Sequence, residues 1–267
     1  MDDERGRRDR HTWDPARYLE YAGERGRPFV ELLARVGAEQ PQAVVDLGCG
    51  PGNLTALLKQ RWPEAGVTGV DSSAEMVAAA DPGLGVEYVV ADLRTWRPEE
   101  PVDVLVSNAA LQWVPGHLDL LPSLLANVAP GGWFAFQVPG NFDQPSHTLR
   151  RELAQDARFA PYLGGVASPD AFGAETYLER LAALGCEVDA WETTYLHVLA
   201  GDDPVFDWVV GTGARPTLEA LPADLRPAFE EEFRVALRAA YPRRAHGTVL
   251  PFRRVFVVAR VPADRIA

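Results

Sequence analysis

Ten residues constrain this chain more than any others: Val44-Val45-Asp46-Leu47-Gly48-Cys49-Gly50-Pro51-Gly52-Asn53. An apolar run that reads as a buried strand enters a turn with glycines at alternate positions, and a helical pattern follows from Asn53 or Leu54. Glycine bends tightly and lets a ligand approach where a Cβ would stand. The helix start offers free N–H groups. The dinucleotide fingerprint G-x-G-x-x-G needs its third glycine three residues after the second. Here Asn53 holds that position and the glycine arrives early, at Gly52, which argues against a nicotinamide oxidoreductase. A second strand, Gly66 to Val70, ends in Asp71, nineteen residues beyond Gly52. An acid there accepts hydrogen bonds from both ribose hydroxyls of a nucleoside. Ser73 is available to cap the next helix, which leaves Asp71 to a ligand.

The rest of the chain extends this start. Strand 42–47, helix 53–61, strand 66–71, helix 73–80, strands 85–90 and 102–107, helix 117–128 and strand 133–138 follow in order. Such alternation gives an α/β fold with a doubly wound, mostly parallel sheet. Ala129-Pro130-Gly131-Gly132 reads as a turn before the fifth strand. One helix is expected over Pro28–Val36 and an earlier one from Asp14-Pro15. Residues 1–12 read as a disordered tail and 13–267 as one domain, with 140–184 and 203–242 as helical caps. The stripe Leu225, Phe229, Phe233, Leu237, Tyr241 reads as core. In this architecture ligands sit beyond the carboxyl ends of the strands. That nominates Asp46 to Gly52, Asp71, Asp92 with Leu93, Ser107-Asn108-Ala109 and Pro139-Gly140-Asn141.

Composition narrows the ligand. The net charge is −12, so nothing is gained by neutralising nucleic-acid phosphates, and anionic membrane surfaces are disfavoured too. No apolar run approaches a spanning helix, and the charged N-terminus is no secretory signal. Two cysteines, Cys49 and Cys186, point to reduced thiols and a cytoplasmic setting. Cys49 reads as a small packing residue of the turn. No paired-cysteine or histidine spacing suggests a metal. Nothing in the sequence speaks to oligomeric state.

The glycine turn, Gly69-Val70-Asp71-Ser72-Ser73, Ala91-Asp92-Leu93-Arg94 and Ser107-Asn108-Ala109-Ala110-Leu111-Gln112-Trp113 together resemble class I S-adenosylmethionine-dependent methyltransferases. Outer motifs resemble the trans-aconitate 2-methyltransferase family: Trp13-x-Pro15-x-x-Tyr18, Pro139-Gly140-Asn141-Phe142 with Pro145-Ser146-His147, Trp191 to His197, and Leu250-Pro251-Phe252-Arg253-Arg254. The resemblance implies a seven-stranded Rossmann-like sheet with an antiparallel last strand. It also implies S-adenosyl-L-methionine as cofactor, S-adenosyl-L-homocysteine as product, and a monomethyl ester formed on a small polycarboxylic acid. Cofactor contacts would fall on Asp46, Gly48, Gly50, Gly52 and Asn53 of the turn, on Asp71, Ser72 and Met76 for ribose and adenine, on Asp92 and Leu93 for the adenine edge, and on Asn108 for the methionine amino group.

A carboxylate is already ionised at neutral pH, so the reaction needs no general base. No side chain is expected to be catalytic in the acid–base sense, and the enzyme's task is to align reactants. A polycarboxylate needs local positive charge. The sixth strand should run parallel to the others, so Tyr195 and His197 near its end face the site. The start of the antiparallel strand brings Arg253 and Arg254 there on opposite faces, at most one of them inward. Gln112, Trp113, Asn141 and His147 are further substrate candidates, as are Arg25, Arg27 and Arg215, with Trp13 and Tyr18 as parts of a lid. Other assignments consistent with the sequence are a methyltransferase for another acid or amine, and a non-catalytic S-adenosylmethionine-binding protein.

Overall fold

The computed structural model describes residues 22–166 and 168–264. The disordered-tail reading of 1–12, the early helix and the lid candidates Trp13 and Tyr18 lie outside these residues. Helix α1 (Ala22–Leu33) leads into β1 (Ala43–Leu47), α2 (Thr55–Arg61), β2 (Gly66–Asp71), α3 (Ala74–Ala78), β3 (Val86–Val90), β4 (Val102–Asn108), α4 (His117–Leu125) and β5 (Val128–Pro139). Then come α5 (Pro145–Leu153), α6 (Ala160–Leu163), α7 (Ala174–Ala182), β6 (Glu187–Leu199), α8 (Pro204–Val210), α9 (Arg215–Ala220), α10 (Arg226–Ala240) and β7 (Thr248–Arg260). The seven strands form one sheet in the order β3-β2-β1-β4-β5-β7-β6. Strand β7 runs antiparallel to β5 and to β6, and the other pairs are parallel. The α/β, doubly wound, mostly parallel architecture with its antiparallel last strand is therefore as the sequence implies.

Period-two alternation sorts the strand residues between two faces. Val45, Leu47, Leu105, Phe134, Phe136, Val255 and Val257 pack with Leu121 and Leu124 of α4 and with Tyr177 and Leu181 of α7. Val44, Val104, Val106, Ala135, Phe256 and Val258 pack on the other face with Phe29 and Leu32 of α1 and Leu58 of α2. A third cluster holds the cap: Phe159, Leu163, Val205, Trp208, Leu218, Phe229, Phe233, Leu237 and Tyr241. Each fully buried Phe or Leu there contributes roughly 1.5–3 kcal/mol. The stripe on α10 is thus core, as its spacing suggests.

Three local expectations change. Pro28 lies inside α1, whose described residues are Ala22–Leu33. Helix α2 starts at Thr55, one to two residues later than the sequence suggests. The Ala129–Gly132 turn is absorbed into β5 as a bulge: Val102 pairs with Val128, and the next registered pair is Val104 with Trp133. Gly131 takes φ 79°, and a Cβ on Gly132 would sit 2.9 Å from the Asp103 carbonyl. The stretch 140–184 also divides. Its α5 and α6 face the cap, whereas α7 covers the sheet through Tyr177 and Leu181.

Candidate active site

The glycine turn is pinned from two sides. Gly48 N and Cys49 N donate to the Val70 carbonyl at the end of β2 (2.7 and 3.1 Å). Gly50 N donates to Asp71 Oδ2 at 2.9 Å, while Asp71 Oδ1 accepts from Ser73 N. Ser73, not Asp71, caps α3, its hydroxyl accepting from Met76 N. A carboxylate offers about four acceptor positions, so these two bonds leave about half of Asp71's capacity. All three glycines have positive φ: 77°, 57° and 76°. A Cβ on Gly48 would lie 2.2 Å from Ala110 Cβ, and one on Gly52 2.2 Å from the Tyr88 hydroxyl. A Cβ on Gly50 would meet nothing within 4 Å. Two of the glycines therefore serve packing, and Gly50 alone faces open space.

Asp46 lies beneath this turn, 2 % exposed. Its Oδ2 accepts from the Thr55 hydroxyl at 2.7 Å, and its buried Oδ1 has no partner among the described residues. Burial, against the Thr55 bond, pushes its pKa up to about 7. The folded chain then holds a proton that the unfolded chain has released. This stabilising contribution is full below about pH 4, declines as pH rises to about 7, and is absent above. Asp46→Asn should remove the decline, gaining up to about 4 kcal/mol relative to wild type between those limits. Thermal melts of the ligand-free protein across pH 4–8 check this. The neighbouring Cys49 thiol is pushed well above its usual range by burial, which fits packing rather than nucleophilic chemistry.

Asp92 lies two residues past β3, beside Asp71 through Ala91 N to Asp71 O (2.9 Å). Its carboxylate is engaged by the Arg94 amide and guanidinium (2.5–3.0 Å), which holds its pKa low. The pair is half-exposed and worth at most about 1 kcal/mol, so an incoming donor displaces it cheaply. Met76 is buried, Ser72 exposed, and Asn53 and Leu93 half-buried.

A cavity of about 770 Å³, its open mouth included, lies between the sheet's carboxyl edge and the cap. Asn108, Gln112, Trp113, Asn141, His147 and Arg254 line it. So does Ala109, nominated at the end of the fourth strand, and so do Gln137, Trp208, Val209, Thr212, Gly213 and Phe252, which sequence reasoning missed. Arg254, 8 % exposed, donates from Nη1 to Gln137 Oε1 at 3.3 Å and stacks over Phe252. Gln137 Nε2 donates to Asn108 Oδ1 at 2.5 Å. An arginine only donates, so Gln137 must accept there and donate onward. The chain Arg254–Gln137–Asn108 thereby links β7, β5 and β4 across the cavity floor. Burial, reinforced by Arg150 and Arg151, lowers the His147 pKa to about 4, so this imidazole is neutral. Ala109, the one non-glycine with positive φ among the described residues (54°), turns the chain out of β4 here. Non-glycine residues seldom adopt that conformation outside functional sites.

Five substrate candidates fall outside the cavity lining. Strand β7 stands between β5 and β6, so the end of β6 is one strand further away than a purely sequential order would put it. Tyr195 pairs with Phe252, but its hydroxyl donates to Glu31 of α1 at 2.7 Å. Arg27 is exposed, bonded to Glu31 and set over the Tyr195 ring. His197 stacks behind the lining residue Trp208, with centroids 4.6 Å apart. Arg253 turns to the other face, donating to the Gly140 carbonyl and Glu192. Arg215 pairs with Glu219. Tyr195→Phe should cost about 1 kcal/mol of stability and leave acceptor KM unchanged, as a melt and steady-state kinetics can show. Among the described residues no cluster of potential metal ligands occurs, and no helix is long and apolar enough to cross a membrane.

This fold and site define a class. A model of the methyltransferase-domain family matches residues 16–190. Solved neighbours share the fold: the YcgJ protein of Bacillus subtilis (TM-score 0.57, 11 % identity, 88 % of this chain and 98 % of that one), and phosphoethanolamine N-methyltransferase 2 of Haemonchus contortus in complex with S-adenosyl-L-methionine (0.53, 17 %, 88 % and 52 %). The [4+2]-cyclase SpnF shares it too (0.53, 18 %, 89 % and 80 %), a reminder that this fold alone does not fix chemistry. Sequence relatives are more specific. Trans-aconitate 2-methyltransferase of Streptomyces coelicolor is 54 % identical over 264 residues, 94 % of this chain and 87 % of the relative. The Mycobacterium tuberculosis enzyme of that name is 48 % identical over 261 residues, 95 % and 98 %. The chain belongs to the trans-aconitate 2-methyltransferase family of methyltransferase-domain proteins.

Proposed function

We propose that this chain binds S-adenosylmethionine on the Gly48–Gly52 turn and methylates one carboxylate of trans-aconitate in the adjoining cavity. The observation that carries the reading is Arg254, a buried guanidinium on the floor of an otherwise neutral cavity, next to a glycine turn with one open face. The residues present fit the cofactor. Gly50 leaves room where a Cβ would stand, Asp71 retains acceptor capacity for a ribose, and the unpartnered Oδ1 of Asp46 suits an ammonium-bearing ligand above the turn. When bound, this cofactor supplies an electrophilic methyl group on a sulfonium.

The chain's own contributions are binding, orientation and exclusion of water. Arg254 holds an acceptor carboxylate, and Gln137 fixes the guanidinium and Asn108 in one arrangement. Trp113, Phe142, Trp208 and Phe252 supply the walls of a cavity in which charged contacts are strong. No proton need be removed, because the acceptor carboxylate is ionised and His147 is neutral. The rate then comes from proximity and alignment. Incubating the protein with labelled S-adenosylmethionine and a panel of mono-, di- and tricarboxylates tests the reading. A monomethyl ester should form fastest from trans-aconitate. Label transfer to another acid or an amine instead, or cofactor binding with no product at all, would sink it.

A further inference from the structure

Arg150 is 5 % exposed, yet among the described residues no carboxylate pairs with it. Among the described residues its side chain hydrogen-bonds to the Thr217 hydroxyl of α9. Buried charges are ordinarily paired, and a guanidinium left without a counter-ion costs stability. Burial, with Arg151 nearby, lowers its pKa to about 10. Its location gives this cost a purpose. Arg150 follows His147 by one turn on the same face of α5. The His147 ring lies 3.1 Å from where a Gly213 Cβ would stand, just before α9, and Thr217 lies in that helix four residues on. His147 and Gly213 both line the cavity, so Arg150 stands behind the wall they form, while Arg254 rises from β7 in the floor.

We infer that Arg150 is a specificity-determining residue: it supplies the second positive charge that makes this cavity favour an acceptor bearing more than one carboxylate. The inference rests on the proposed reading of the cavity as the acceptor site. His147 is neutral and adds no charge of its own, and the apolar walls screen little, so the charge of Arg150 is felt across the wall. The competing structural role is a cation stabilising the last turn of α5, where Arg150 and Arg151 lie.

The two roles predict opposite signs. Arg150→Met and Arg150→Gln would be made in the full chain, the second retaining a partner for Thr217. Melting without ligands and calorimetric titration of trans-aconitate and of crotonate, a monocarboxylate, into the S-adenosylhomocysteine-loaded protein would be compared with wild type. The expected result is an unchanged or higher Tm for Arg150→Met, a loss of affinity for trans-aconitate of about 10- to 100-fold, and a change for crotonate below about threefold. A lower Tm in both variants with an unchanged ratio of the two affinities would overturn the inference alone. Failure of wild-type protein to bind either acid would overturn the acceptor reading and this inference with it.

Discussion

Replacing Arg254 by methionine is expected to lower kcat/KM for trans-aconitate by about 30- to 4,000-fold, chiefly through KM, with cofactor affinity nearly unchanged. Truncating one partner of a buried, hydrogen-bonded charge contact costs roughly 2–5 kcal/mol, and each 1.4 kcal/mol is tenfold. The effect falls on acceptor binding because Arg254 reaches the cavity from β7, while the glycine turn depends on β1, β2 and Asp71. Methionine fills similar volume against Phe252, so the variant should fold. Steady-state kinetics with each substrate varied in turn separates the two affinities. An equal loss in cofactor affinity would show that the Arg254–Gln137–Asn108 chain carries both sites.

The second large effect concerns the glycines, which look alike in sequence and differ in surroundings. Gly50→Ala should cost only about 1–2 kcal/mol of stability, the strain of a left-handed backbone for an L residue, because its new Cβ meets no protein atom. It should weaken cofactor binding by at least about 100-fold, since that empty space is where the ligand must approach. Gly52→Ala drives a Cβ to 2.2 Å from the Tyr88 hydroxyl, and Gly48→Ala drives one to 2.2 Å from Ala110. Those two should lower Tm far more than Gly50→Ala does. Melts paired with calorimetry of cofactor binding distinguish a blocked cradle from a broken turn. Equal destabilisation by all three would remove Gly50 from the cofactor site.

The geometry of the glycine turn was legible because its signals are local. A turn between β1 and α2, an acid at the end of β2 and a cap at Ser73 all lie within thirty residues, and each has one backbone geometry that suits it. The cavity half was legible only near the carboxyl ends of strands. Gln112 and Asn141 follow β4 and β5, Arg254 pairs with Pro139 at the end of β5, and the alternation of Arg253 and Arg254 implies that they face opposite ways. Tyr195 and His197 misled because strand order is not written in strand sequence: β7 intervenes before β6. Trp208, Thr212 and Gly213 enter from the cap, whose docking depends on contacts distant in the chain. Gln137 did carry a signal. It is the one polar residue in the apolar run Trp133 to Val138, and a polar group in a buried strand needs a partner. Arg150 carried none, since an arginine on a helix is ordinarily exposed.

The most direct test of the whole account is a crystal structure of the protein with S-adenosylhomocysteine and trans-aconitate. The account predicts the nucleoside against Asp71 and the open face of Gly50, with one acceptor carboxylate on Arg254 and another directed toward the His147–Gly213 wall. Trans-aconitate bound away from Arg254, or a cofactor lying elsewhere than on the Gly48–Gly52 turn, would contradict it.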